Sequence, residues 1–125
     1  MKSLFTIKGT VREGNKRGKK LGFPTMNLPV DQKIPEGVYI SQTEFADQLY
    51  NSLTFVGVVK TYNETVFHTE TYLLQFNENV YGKNISVYLL KKLRENQKFN
   101  SEEELILQMK KDKEDAEAFF ILYNQ

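Results

Sequence analysis

Apolar and polar residues alternate over most of the first two-thirds of the chain. Phe5, Ile7, Gly9 and Val11 fall on one side of a period-2 pattern, which predicts a strand. A second run, Gly37-Val38-Tyr39-Ile40, follows a turn signal at Pro35-Glu36-Gly37. Residues 53–59, LTFVGVV, form a third, in which Gly57 signals a bulge or a close backbone approach. His68 to Phe76 and Ile85 to Leu90 are the fourth and fifth, separated by the turn-rich segment NENVYGKN. Short strands with no helices between them predict an antiparallel barrel or sandwich.

The period changes in the last quarter. Ser101 followed by Glu104 is a capping box, and Leu105, Met109, Ala116, Phe119, Phe120 and Tyr123 then recur at near-helical spacing. One helix, or two joined by a kink, is expected to cover one mouth of the barrel. Asp112 falls on the apolar stripe, where a hydrogen bond or ion pair to a neighbouring loop is expected to satisfy it.

The 125 residues fit a single domain, 1–125, able to bury a core without staples. No window reaches the ~20 apolar residues of a membrane span. The first residues, MKSLFTIKGT, lack the apolar centre of a signal peptide. There is no cysteine, which excludes disulfides and thiolate metal sites. A cytoplasmic monomer with no membrane partner is the expectation. Net charge is +1, yet the basic residues Lys2, Lys8, Arg12, Lys16, Arg17, Lys19 and Lys20 gather before position 27, and acidic residues dominate beyond 101.

The basic segment contains EGNKRGKKLGFPTMN, Glu13 to Asn27, with Gly14, Gly18 and Gly22 every fourth residue. Glycines let backbone N–H groups approach an anion, and Arg17, Lys19 and Lys20 add charge. The spacing matches neither a P-loop nor GxGxxG, so a solvated hairpin loop is the competing reading. Pro24 holds its predecessor extended, and in an extended segment Thr25 and Asn27 share a side. Two neutral oxygens on one face suit Mg²⁺; turn capping is the alternative.

In HTETYLLQF, Glu70 shares a row with Tyr72, Leu74 and Phe76, which predicts that this row faces inward. A carboxylate there is costly unless paired or used. It acts either as a general base or as a rim partner of Lys60 or Arg94. His68, the single histidine, lies one step further out and is expected to be structural or exposed. With one histidine and no serine-nucleophile motif, metallohydrolase and serine-hydrolase readings fall away.

These pieces together resemble the riboflavin kinase (flavokinase) family over nearly the whole chain. The residues that carry the likeness begin with Gly9-Thr-Val, Gly14-x-x-Arg17-Gly18-x-x-Leu21-Gly22-Phe23-Pro24-Thr25-x-Asn27-Leu28 and Pro35-x-Gly37-Val38-Tyr39. They continue with Gly57, Thr61, Glu70-Thr71, Tyr81-Gly82, Leu93-Arg94, Lys98-Phe99 and the acidic-capped helix. The resemblance implies a mainly β fold, a six-stranded antiparallel Greek-key barrel with a C-terminal α-helix. It implies transfer of the ATP γ-phosphate to the ribityl 5′-hydroxyl of riboflavin, giving FMN and ADP. By position, Thr25 and Asn27 resemble the family's Mg²⁺ and phosphate ligands and Glu70 its catalytic base. Gly14, Arg17, Gly18, Lys20 and Gly22 resemble the flap over the nucleotide phosphates, and Arg94 with the loop after it resembles part of the flavin side.

Three departures stand out. Lys60-Thr61-Tyr62 replaces the frequent Pro-Thr-Phe, PTMN replaces PTAN, and Asn79-Val80-Tyr81-Gly82 replaces Asp-Leu-Tyr-Gly. Many bacterial relatives carry an FAD synthetase domain in front, for which 125 residues leave no room; the chain is either a stand-alone kinase or a fragment of a longer protein, and FMN adenylylation is not expected from it. Two alternatives remain beside the kinase. One is a flavin-binding module without turnover. The other is a nucleic-acid-binding barrel, against which the near-zero net charge and the acidic helix count.

Overall fold

The computed structural model describes residues 3–12, 25–60, 65–75 and 82–123. Among them are six strands: β1 (Phe5–Thr10), β2 (Met26–Val30), β3 (Gly37–Phe45), β4 (Gln48–Lys60), β5 (Thr65–Leu73) and β6 (Asn84–Arg94). Among the described residues one helix, α1 (Glu102–Tyr123), follows them after a connection over 95–101. The strand order is β1-β6-β3-β4-β5-β2, and every pairing is antiparallel. β3, β4 and β5 form a meander, and β6 returns to lie beside β3, which is the Greek-key arrangement.

The sheet curls until its two ends meet. Arg12 and Asn27 form a bridge, with the Arg12 backbone N–H donating to the Asn27 carbonyl at 2.8 Å. The barrel is thereby nearly closed. β2 is the strand that hydrophobic periodicity missed. It is short and contains Pro29, which an end strand tolerates because it need not donate along both sides. The β3–β4 hairpin turns through Ala46 and Asp47 at φ 51° and 62°, the left-handed pair that suits a two-residue hairpin.

Inward side chains follow the two-residue period. Ile7, Met26, Leu28, Val30, Tyr39, Val56, Leu73, Val87 and Leu89 form the interior core. Beside them the interior is lined by hydroxyls rather than hydrocarbon. Ser41 bonds Ser52 at 2.7 Å and Thr54 at 2.8 Å, Thr43 bonds Ser52 at 2.9 Å, and Thr54 bonds Thr71 at 2.8 Å. Each buried hydroxyl thus has a partner, which removes the desolvation penalty of an unpaired one.

A second core lies outside the barrel wall. Val38, Ile40, Leu53, Tyr72, Leu74 and Leu90 pack under Ala116 and Phe120 of α1. Two expectations change here. The helix sits against the wall instead of over a mouth. Tyr72 and Leu74, and Glu70 in the same row, point outward, and the two apolar residues are buried because the helix covers them. Phe76 lies outside the described residues.

The helix starts as its cap dictates. The Glu104 N–H donates to Ser101 Oγ at 3.1 Å, and the Glu104 carboxylate accepts from the Asn100 N–H at 3.0 Å. Glu102, Glu103 and Glu104 place negative charge at the positive end of the helix dipole. Among the described residues no helix is long and apolar enough to cross a membrane.

Candidate active site

The site is assembled on the outward face of β2, β5 and β4, where the end of β6 and the first turns of α1 overhang it. The pairing register sets its centre: Asn27 lies directly opposite Glu70, and Glu70 directly opposite Phe55. Directly opposed residues on one face of an antiparallel pair hold their Cβ atoms within about 4.5–5.5 Å. Thr25, two residues before Asn27, is on the same side and is buried. The predicted Thr25–Asn27 face and the Glu70 carboxylate are therefore brought together.

A cavity of about 630 Å³ opens there. Thr25, His68, Glu70 and Tyr72 line it from the sheet, Arg94, Asn96 and Phe99 from the β6–α1 connection, and Leu105, Met109 and Asp112 from the helix. Val38, Leu53 and Phe55 complete an apolar floor. The volume is in the range of small-molecule sites, and the lining combines an apolar floor with several polar and charged groups, Gln97 and Lys98 among them.

Glu70 is half-buried. Among the described residues its carboxylate has no ion pair, and the expected rim partner Arg94 is otherwise engaged. Arg94 Nε and Nη2 each donate to Asp112 at 2.8 Å, and Nη1 donates to the Glu95 carbonyl at 3.0 Å. Gln108 adds a bond to Asp112 at 2.9 Å. Asp112 thus has a partner at the end of a strand, where a loop partner was expected. The ion pair fastens the helix to β6 beside the cavity. Burial pushes the Tyr72 phenol up from its ordinary pKa, the nearby Asp112 carboxylate adds to this, and Arg94 opposes it, so Tyr72 is a neutral wall of the site.

Gly57 has a local reason of its own. The β4–β5 register runs through it without a bulge. A Cβ there would stand 2.6 Å from Phe55 Cε1 and 3.2 Å from His68 Cε1, so the missing side chain is what lets both rings lie on the sheet. Their centroids are 6.0 Å apart at 58°. Gly57→Ala is expected to displace the Phe55 ring at a cost of about 1–3 kcal/mol. Thermal denaturation of the variant measures this, and an unchanged melting temperature would contradict it.

Three buried side-chain atoms in the described residues have no hydrogen-bond partner: Asn27 Nδ2, His68 Nδ1 and Asn96 Oδ1. Asn27 stands across from Glu70, and the other two residues line the cavity. His68, expected to be structural or exposed, is half-buried in the site wall. Asn96 escaped sequence reading because a lone asparagine in the polar run Glu95-Asn96-Gln97-Lys98 carries no spacing signal. The flap candidates Gly14, Arg17, Gly18, Lys20 and Gly22 lie outside the described residues, as do Thr61 and Tyr81.

The chain is similar to known proteins over most of its length. The flavokinase family, described as riboflavin kinase, matches residues 1–120. A bifunctional riboflavin kinase/FMN adenylyltransferase of Bacillus subtilis is 36% identical over 122 residues, covering 93% of this chain and 39% of the relative. An RNA-binding riboflavin kinase, RibR, of the same organism is 39% identical over 113 residues, covering 87% of this chain and 48% of the relative. A crystal structure described as a macrolide-efflux protein from Streptococcus pneumoniae superposes with a TM-score of 0.83 at 33% identity. It is matched over 90% of this chain and 38% of its own. The chain therefore spans about two-fifths of the bifunctional relative's length. With the match running from the first strand to the last turns of the helix, this chain belongs to the riboflavin kinase (flavokinase) family.

Proposed function

We propose that this domain transfers the γ-phosphate of ATP to the ribityl 5′-hydroxyl of riboflavin, giving FMN and ADP. The observation that carries the reading is Glu70 in the wall of a cavity of small-molecule size, with Asn27 directly opposite it across the β2–β5 pair. Phosphoryl transfer asks a protein chiefly for alignment and charge neutralisation. Thr25 and Asn27 supply neutral oxygens on the side from which the phosphates enter, and Glu70 supplies one carboxylate beside them.

Mg²⁺ fits this donor set. Among the described residues there is no cluster of three or more His, Cys, Asp or Glu, so no all-protein cage competes with it. Mg²⁺ usually keeps waters and substrate phosphates in its shell and takes few protein ligands. The unpartnered atom of the buried Asn27 amide is Nδ2, a donor, which would suit a phosphate oxygen of the nucleotide and not the cation itself. Bound with ATP, the ion would neutralise phosphate charge. Thr25 and Asn27 would hold it in place. Glu70 would orient the sugar-alcohol hydroxyl and accept its proton as the phosphoryl group leaves ADP. The apolar floor and the overhanging helix would keep water from competing as the acceptor.

One relative is described as RNA-binding, but the helix begins with Glu102, Glu103 and Glu104 and offers no basic platform there. The substrates in this reading are small molecules only.

Incubation with riboflavin, ATP and Mg²⁺, followed by chromatography, is expected to yield FMN. Absence of FMN would end the proposal. Asn27→Ala is expected to raise the Mg²⁺ concentration for half-maximal turnover at least ~10-fold, the scale of losing one metal-orienting group. Its melting temperature is expected to stay put, because the seam bond to Arg12 uses backbone atoms.

A further inference from the structure

Glu70 lies between two threonines whose side chains point the other way, into the barrel, because side chains alternate along a strand. Thr69 and Thr71 are 0% and 1% exposed. Leu28, Val56 and Leu73 belong to the same interior. Valine has nearly the outline of threonine, suits strands as well and buries no polar group. A paired buried hydroxyl adds little net stability. Two hydroxyls at these positions therefore call for a reason beyond stability.

Each one holds a different neighbour. Thr69 Oγ1 donates to the Leu28 carbonyl on β2 at 3.2 Å. Thr71 Oγ1 bonds Thr54 Oγ1 on β4 at 2.8 Å. Thr54 is held in turn by Ser41 of β3 at 2.8 Å, so this tie is anchored three strands deep. The residues before and after Glu70 thus fasten β5 on both sides.

The need is greatest towards β2. The Asn27 carbonyl accepts from the Arg12 N–H, on the seam side of β2. In an antiparallel strand the N–H and C=O of one residue point to the same side, so the Asn27 main chain is turned away from β5. Asn27 and Glu70 are therefore a non-hydrogen-bonded pair, with no main-chain bond between them. The flanking pairs, Met26–Thr71 and Leu28–Thr69, set their spacing. Thr69 adds its side-chain bond at one of these two. Towards β4 the alternation reverses, and the main chain of Glu70 itself bonds Phe55.

We propose that Thr69 and Thr71 are positioning residues: their inward hydroxyls fix β5 between β2 and β4 and so hold the Glu70 carboxylate at its working distance from Asn27. Thr69 carries the larger share, because the main chain gives Glu70 no bond on its side. The consequence for catalysis rests on the proposed kinase function; the placement does not.

Each threonine is replaced by valine, which keeps the shape and loses the hydroxyl, and by serine, which keeps the hydroxyl and loses a methyl. Neither valine strands a buried group. The Leu28 carbonyl keeps the Thr69 N–H of the ladder, and Thr54 keeps Ser41. Thr69→Val is expected to lower kcat at least ~10-fold, since small misplacements of a reacting group are costly. Flavin affinity from fluorescence quenching and the melting temperature are expected to hold. Thr69→Ser is expected to recover most of the rate while lowering the melting temperature through the gap it leaves. A packing role predicts the reverse order, with valine active and serine impaired. Thr71→Val is expected to lower kcat only about threefold. In a Glu70→Gln background Thr69→Val is expected to add no further loss, because the group being positioned is gone.

A second readout needs no turnover. In the NMR spectrum of the unliganded protein, the cross-peak between the Asn27 and Glu70 α-protons is expected to be strong, as the short spacing of a non-hydrogen-bonded pair dictates. It is expected to persist in Thr69→Ser and to weaken in Thr69→Val. An unchanged cross-peak in Thr69→Val, parental kcat in that variant, or a valine more active than the serine would each overturn the inference. Cross-peaks that follow the hydroxyl in a protein that forms no FMN would leave the placement standing and remove the kinase reading instead.

Discussion

Glu70→Gln is expected to keep the barrel and lose ~10²–10⁴-fold in kcat, the usual contribution of a positioned general base. The substitution is nearly isosteric and retains a hydrogen-bonding group opposite Asn27, but it abolishes basicity. The side chain lies on the outward face of β5, away from the interior core, so folding does not depend on its charge. Three measurements make the case together: single-turnover FMN formation, flavin affinity by fluorescence quenching, and thermal denaturation. The first should fall while the other two hold. Near-normal turnover would remove Glu70 from the mechanism.

Asp112→Ala is expected to destabilise the fold by about 3–5 kcal/mol, the range for stripping one member of a buried ion pair. The Arg94 side chain is only 17% exposed, and without Asp112 its guanidinium would keep the Glu95 carbonyl and lose its anionic partner. Gln108 would lose its acceptor as well. For a chain of this length the melting temperature should drop by roughly 10–20 °C. Replacing both members, Arg94→Met with Asp112→Leu, is expected to recover most of that loss, because two apolar groups leave no stranded charge. A single variant within about 1 kcal/mol of the parent would show that the pair contributes little.

Much of this architecture was legible from residue order alone. The capping box at Ser101 and Glu104 gave the helix start, and alternation gave five of the six strands. The family resemblance supplied the sixth and the Greek-key order. What periodicity could not give was the direction of the β5 row. It says that Glu70, Tyr72 and Leu74 share a face, not which face. The apolar residues drew the reading inward, yet the interior positions of that strand include Thr69 and Thr71. Thr71 is accommodated inside because it joins the hydroxyl chain through Thr54. Thr69 bonds the Leu28 carbonyl. The outward residues Tyr72 and Leu74 are apolar because α1 covers them. Hydropathy reports burial, and here both faces of one strand are buried.

The site divides in the same way. Pro24 and strand alternation put Thr25 and Asn27 on one side, but only the family resemblance joins Glu70 to them, since the reading of its row turns it inward; the register sets Asn27 opposite Glu70. Asn96 was not readable. Its place in the cavity wall comes with a bond to the Val56 carbonyl, a contact between residues 40 positions apart that no local pattern encodes.

Asn27 has two separate attachments. Its carbonyl holds the Arg12 N–H, while its amide side chain faces Glu70. Main chain and side chain therefore answer to different selective demands at one position. The side chain at this position can be exchanged while the circumference of the cylinder stays sealed, because the seam is closed by main-chain atoms alone.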